Sequence, residues 1–466
     1  MFLKYMQKLL MLSEKISKYL IAAVLIIVPL LPKFPLISVP GTYVSIRLED
    51  VLMFLLALVL VPKFVMDFKK IWKDKIFVAI LIFFTVTFIS LLAGILITQT
   101  VELRLGLLHW ARRVEYIIPF LATYLLIPRD KIKETVEFYF KILLIVMAIA
   151  FVYGLGQRYL NFPVIITQNE EYSKGIALRW SPGAHINSTF AGHYDLSAFM
   201  VLVLPIFLGV LFTLKEKLSE LFIAISSGMG LWLLISSVSR TAQASYLLAV
   251  TVTLFLLKKF KGWLLVILIS VISMTMSSGL DARFGQAIKV LYEYVTTGKG
   301  ISYVPGFVVR ADEVTLTTRE IIQATPAPAA VKVINDVSIA IRYNVEWPRA
   351  IRAFSKNPIL GTGYSSIDLA TDNDYLRMLG EIGLVGFSAF VLIFLRIGKV
   401  LLKTFSLKDK LSSFEKSYLF GIMGGLIGTF VTALLIDLFE ASKFAIIFWL
   451  LLGSSVSLIK SKLNEN

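Results

Sequence analysis

The sequence predicts an all-α integral membrane protein. Of its 466 residues 57% are hydrophobic, and the mean hydropathy is +0.79. Apolar runs long enough to cross a hydrocarbon layer recur from one end to the other, where a soluble domain would alternate apolar and polar positions. The first run lacks a small-residue cleavage site and is followed by more runs, so no cleavable signal peptide is expected. Cysteine is absent and histidine is limited to His109, His185 and His193. This excludes disulfides and Cys-ligated metals and argues against a His-rich metal site, so neither metal nor cofactor is expected.

The spans follow in order. Span one is expected over 19–31, span two over 51–65 after Arg47-Leu48-Glu49-Asp50, and span three over 76–97 after a lysine-rich turn. A polar segment carrying Arg104, His109, Arg112, Arg113 and Glu115 precedes a short span four, 116–127. Span five covers 138–155. The polar loop 157–192 leads to span six, 193–214, and spans seven to nine cover 218–237, 241–257 and 262–277. A long polar region follows, and spans ten to twelve cover 375–394, 417–435 and 442–458. The plan divides the chain into spans one to nine (1–277), one large extracytoplasmic loop with short helices (278–374), and spans ten to twelve (375–466).

Charge orients this plan. An even number of spans puts both termini on one side, and the loops on that side are rich in lysine, which marks it as cytoplasmic. The net charge of +16 is then mostly a topology signal, and nucleic-acid binding loses its support. Arginine behaves differently: all but Arg129 and Arg396 fall on the outer side. Topology needs only positive charge, whereas the guanidinium fork also matches phosphate and carboxylate. The outer face reads as built for anions, with decoration of loops and headgroups as the plainer alternative.

Within the outer loop, Phe284, Ile288, Leu291 and Val295 recur at helical spacing and suggest a surface helix. Ser338 would cap a second helix, on which Arg342, Arg349 and Arg352 would share one face opposite Ile351 and Phe354. That stripe would clamp a phosphate or line a solvated face. Arg240 stands at the outer end of span seven, with almost no loop before span eight, where an ionisable residue is a functional candidate and snorkelling is the alternative. Asp372-Asn373-Asp374 precedes span ten and would cap it, supply a general base, or bind a divalent ion. Glu381 lies inside span ten and would pair with an arginine or a hydrophilic substrate. His193 opens span six and would bind a sugar hydroxyl or act structurally. Arg47, beside Glu49 and Asp50, and Arg113, beside Glu115, would hold the bundle by ion pairs or make a second anion contact.

These residues stand in a recognisable order. Arg342, Trp347-Pro348-Arg349, Pro358-Ile359-Leu360-Gly361-Thr362-Gly363, Asp372-Asn373-Asp374-Tyr375-Leu376 and Glu381-Ile382-Gly383-Leu384-Val385-Gly386 together resemble the pattern of the O-antigen polymerase and O-antigen ligase superfamily. Ser239-Arg240-Thr241 is similar to its Ser-Arg motif. The resemblance covers nearly the whole chain and implies a GT-C-like glycosyltransferase of the bacterial cytoplasmic (inner) membrane whose active site faces outward. A sugar hydroxyl would attack the anomeric carbon of an undecaprenyl-pyrophosphate-linked oligosaccharide. Arg240 and Arg342 would hold the leaving pyrophosphate; Arg349 and Arg352 are further candidates, and Asn373 flanks the acceptor. Ligases of the family carry His before that Asn, and here the position is Asp372. This points to the repeat-unit polymerase branch and makes Asp372 the candidate base. Membrane lipid is an implied partner and a chain-length regulator protein an optional one. Ligase-type transfer to a lipid or protein acceptor is the alternative with the same chemistry. A transporter or flippase of lipid-linked sugars is the alternative of another class, disfavoured by the absence of a clear internal repeat.

Overall fold

A computed structural model describes residues 2–40, 42, 44–165, 177–178, 184–214, 216–275, 341–367 and 370–463. The surface helix expected around Phe284 and the cap expected at Ser338 lie outside these residues. Helices α1 (Phe2–Leu30), α2 (Leu48–Met66), the single turn α3 (Phe68–Ile71), α4 (Lys75–Leu96) and α5 (Leu103–Leu125) come first. They are followed by α6 (Ile132–Tyr159), α7 (His193–Leu211), α8 (Lys217–Ser236), α9 (Arg240–Leu256) and α10 (Phe260–Thr275). The chain resumes with a π-helical turn, Arg342–Glu346, that leads directly into α11 (Trp347–Lys356). It ends with α12 (Asp374–Leu401), α13 (Ser413–Thr432) and α14 (Ser442–Leu463). Two short antiparallel pairs, Ile37–Ser38 with Ser45–Ile46 and Val164–Ile165 with Ala177–Leu178, tie down loops between helices.

A long helix stands at each expected span. Six meet the length and hydropathy of a membrane crossing: α4, α6, α7, α8, α12 and α14. The others are shorter, as α9 and α10 are, or carry charge within the helix, as α1, α2 and α5 do. One boundary is corrected. The polar segment expected before span four is helical from Leu103, so Arg104, Arg112, Arg113 and Glu115 ride on the same helix as the apolar run. Their charges lowered the apparent hydropathy without breaking the 3.6-residue repeat.

Two helices form the centre. Every residue of α7 from Asp195 to Val210 is buried, and so is every residue of α14 from Ser442 to Ile459. A helix apolar on all sides must be wrapped by protein or by lipid; these two are wrapped by protein. α7 packs on α8, α9 and α13, and α14 packs on α5. Outer helices instead leave large side chains exposed, such as Ile82, Phe88, Ile89 and Leu92 on α4 and Leu264, Leu265 and Leu268 on α10. Apolar faces of that extent belong in lipid.

Helix α13 shows how the centre closes. A Cβ on Gly425 would come 2.7 Å from the carbonyl oxygen of Leu202 on α7. One on Gly421 would fall onto the α7 backbone at Ile206, and one on Gly424 onto α9 at Ala249. Glycine lets three backbones approach where lipid supplies no hydrophobic drive between helices. The capping box at the start of α13 is complete: Ser412 Oγ accepts from Glu415 N at 3.2 Å, and a Glu415 carboxylate oxygen accepts from Ser412 N at 2.7 Å.

Candidate functional site

The site is built around a break in α12. At Gly383 the backbone leaves the helix, with φ 64° and ψ −175°, a region open essentially to glycine alone. The peptide groups freed there need partners, because a buried unpaired amide or carbonyl is costly. The segment Pro358–Gly363 supplies them. Thr362 N donates to Gly380 O at 2.9 Å and Gly363 N to Glu381 O at 2.8 Å. In return Leu384 N donates to Pro358 O at 2.9 Å and Val385 N to Ile359 O at 3.2 Å. Ser90 of α4 adds its hydroxyl to Leu360 O and, at 3.1 Å, to Ile382 O. The Pro-x-x-Gly-x-Gly and Glu-x-Gly stretches are therefore two halves of one joint.

The short first half of α12 is held at its outer end as well. Asn373 caps it, accepting from Leu376 N at 3.0 Å. The carboxylate of Asp437, from the α13–α14 loop, accepts from Thr371 N at 2.7 Å and from Asn373 N at 3.0 Å. Asp374 reciprocates, accepting from Leu438 N at 2.7 Å. Gripped on both sides, Asp372 takes a left-handed φ of 47°, which aspartate tolerates better than most residues. Its side chain meets Arg342: Nε and Nη2 both donate to Asp372 Oδ2, at 3.0 and 2.7 Å, and Nη2 also reaches Tyr194 Oη at 3.4 Å. Burial and the nearby Asp437 raise the Asp372 carboxyl above its ordinary pKa, against the pull of Arg342.

Beneath this pair lies an ionic cluster. Arg377 faces Asp437 at 3.2 Å, Glu381 at 3.6 Å and Glu440 at 3.6 Å. Glu440 also binds Arg113 of α5, whose guanidinium stacks over Tyr364 with 5.5 Å to the ring centroid. Burial alone would raise the Glu440 carboxyl, but Arg113 and Arg377 hold it at about 2.

The structure thus joins Arg342, Asp372, Asn373, Glu381 and Arg113 through one continuous set of contacts. His193 stands next to Tyr194 and stacks on His185 with ring centroids 4.1 Å apart. Arg47 meets Glu49: its guanidinium comes 3.9 Å from that carboxylate, which accepts from Ser442 at 2.7 Å. Arg240 begins α9 behind its cap Ser239.

The expected single face of Arg342, Arg349 and Arg352 is corrected. Arg342 is buried, Arg349 is half-buried and Arg352 is exposed beside Ile351, which was expected on the opposite face. The π turn at Arg342–Glu346 widens the helix locally, so a wheel drawn at 3.6 residues per turn misplaces Arg342 relative to Arg349 and Arg352, which both follow it on α11.

Sequence reasoning overlooked several participants. Arg377 was counted only among the outer arginines, and Asp437, Glu440, Tyr194 and Glu346 were not singled out. Two acids in the short link Ile436–Ala441 between two buried helices were the available signal. Lys443, an outer lysine where arginine is the rule, was another. It is fully buried and donates to Thr189 O at 2.6 Å and Leu31 O at 2.7 Å.

No curated protein matches the chain significantly. Residues 225–391 match a family model described as O-antigen ligase. The match runs from within α8 into the second half of α12, and so takes in Arg240, the Arg342–Asp372 pair and the Gly383 break. The match covers less than half of the chain and supports a likeness to the O-antigen ligase and polymerase superfamily.

Proposed function

We propose that the chain polymerises O-antigen or a related surface polysaccharide. In this reading a glycan passes from undecaprenyl pyrophosphate to a sugar hydroxyl of another lipid-linked repeat unit. The observation that carries the reading is the Arg342–Asp372 pair. A buried guanidinium and a carboxylate meet where the loop before α12 enters a broken helix. The protein would cross the cytoplasmic membrane twelve times in a GT-C-like plan, with both termini inside and this joint outside.

Arg342, held by Asp372, would meet the donor pyrophosphate with the N–H groups that Asp372 does not take, and Arg240 would hold the same group from α9. Charge grows on the pyrophosphate as the glycosidic bond breaks, and fixed guanidinium groups stabilise it there without reorganising. Arg349 and Arg352 would meet the outer part of the donor, and Asn373 the acceptor. A carboxylate of the site would receive the hydroxyl proton. Asp372 in place of the ligase branch's His favours polymerase over ligase, while the ligase description of the matched family keeps transfer to a different acceptor as the second reading.

The test is incubation of the purified protein with lipid-linked repeat units. A ladder of products is expected, lost in Arg342→Ala and Arg240→Ala. If a single transfer to a lipid acceptor occurs instead, the enzyme is a ligase. If lipid-linked glycan is moved across vesicles with no glycan lengthened, the enzyme reading fails.

A further inference from the structure

Asp372 is already engaged, because its Oδ2 takes two hydrogen bonds from Arg342. A second carboxylate stands four residues along the π turn. Glu346 is half-buried, and among the described residues its Oε2 is buried without a hydrogen-bond partner. The charged and titratable groups facing it are Arg342 and Arg349 from its own helical segment, Asp372 from the loop before α12, and Asp437 from the α13–α14 loop. From α7, Tyr194 faces it too. Its neighbours Trp347 Nε1 and Arg349 Nη1 are likewise buried without hydrogen-bond partners. Among the described residues, three unpartnered polar atoms within about one turn of one segment, beside the Arg342–Asp372 pair, describe a place made for something polar. Burial first, then Asp372 and Asp437, push the Glu346 carboxyl up to about 7, against Arg342 and Arg349. A base works best near the ambient pH.

We propose that Glu346 is the catalytic base, with Asp372 a positioning residue that presents Arg342; this rests on the glycosyl-transfer reading above. The acceptor hydroxyl donates to Glu346 Oε2. As its oxygen bonds to the anomeric carbon, the proton passes to Glu346. The anomeric C–O bond breaks and its electron pair leaves with the polyprenyl pyrophosphate. Protonated Glu346 then loses its proton to water.

The experiment uses the full chain in nanodiscs with a lipid-linked repeat unit, measuring initial rates across neutral pH. Binding of a labelled polyprenyl pyrophosphate is measured in parallel. Wild-type turnover should rise with pH through about 7, since the base must be deprotonated. Glu346→Gln should lower turnover by about 100-fold or more and remove that limb, with carrier binding retained. Asp372→Asn should weaken carrier binding and keep the limb, displaced toward lower pH because one charge that raises Glu346 is gone. If Glu346→Gln keeps the limb, or Asp372→Asn alone removes it, the inference is overturned. Should Glu346→Gln fail to bind the carrier, Glu346→Asp decides: a displaced limb supports the inference and an unchanged one overturns it. A wild-type protein that binds the carrier but transfers nothing sinks the glycosyl-transfer reading itself, before any variant is compared.

Discussion

Gly383→Ala is the sharpest probe of the broken helix. An alanine at φ 64° and ψ −175° sits in a region costing on the order of 1–3 kcal/mol. Its Cβ would also lie 2.5 Å from Gly361 N and 2.6 Å from the carbonyl carbon of Ile359. Neither is a side chain that can swing away. The Pro358–Gly363 segment would have to withdraw, giving up four backbone hydrogen bonds worth about 1 kcal/mol each. A loss of roughly 3–5 kcal/mol is expected if part of the joint survives. The control is Gly398→Ala on the same helix, where an added Cβ meets nothing within 4 Å. That change should be neutral or stabilising by about 0.5–1 kcal/mol. Thermal unfolding in a mild detergent compares the two, and proteolytic nicking near Thr362 reports whether the loop has left its seat. Equal melting and equal nicking in both variants would refute the account of the joint.

Lys443→Met removes the ammonium that donates to Thr189 O and Leu31 O. It should destabilise by about 1–3 kcal/mol, the cost of leaving buried carbonyl oxygens without a donor; a melting temperature within error of wild type would contradict this. Gly425→Leu drives a side chain into the α7 backbone at Leu202 and should cost at least about 1–3 kcal/mol, visible as lost yield of folded protein in detergent. Glu440 titrates at about 2 against an ordinary 4.5, a depressed folded-state pKa. Its stabilising contribution is therefore complete above about 4.5 and is lost as pH falls toward about 2. Melting curves of wild type and Glu440→Gln should converge across that window, and parallel curves would show that the ion cluster contributes nothing there.

Much of this was legible in the sequence, for identifiable reasons. Apolar runs located the long helices because a bilayer demands length and uniform hydrophobicity, both local properties. Arg342 and Asp372 were each singled out, and they prove to be partners. Their pairing was not legible, since neither residue type nor spacing states who meets whom across 30 positions. Asp437 and Glu440 were invisible for a stronger reason. Their partners lie more than 50 residues away on α12 or on α5, and a two-acid loop looks like any solvated link. The Arg342–Arg349–Arg352 face failed because one wide turn shifts the register, and no residue type announces a π turn. The Gly-x-Gly and Glu-x-Gly stretches were noticed as motifs, but only the structure makes them two sides of one set of hydrogen bonds.

The short first half of α12 is fixed at both ends by different parts of the chain. At its outer end Asp437 holds the backbone at Thr371 and Asn373; at its inner end the Pro358–Gly363 loop and Ser90 hold Gly380 to Ile382. Between these anchors Arg377 and Glu381 point into the cluster shared with Arg113. The half-helix is thus a lever with two fixed ends, and a shift at either end must move the residues between. That is why a glycine with no chemistry of its own can govern the Asp372–Arg342 pair. Transfer chemistry falls steeply when reacting groups are displaced by about 1 Å. Gly383→Ala should therefore depress transfer by more than its loss of stability accounts for, measured on the fraction of protein that remains folded. Folded variant with full transfer activity would uncouple the joint from the site.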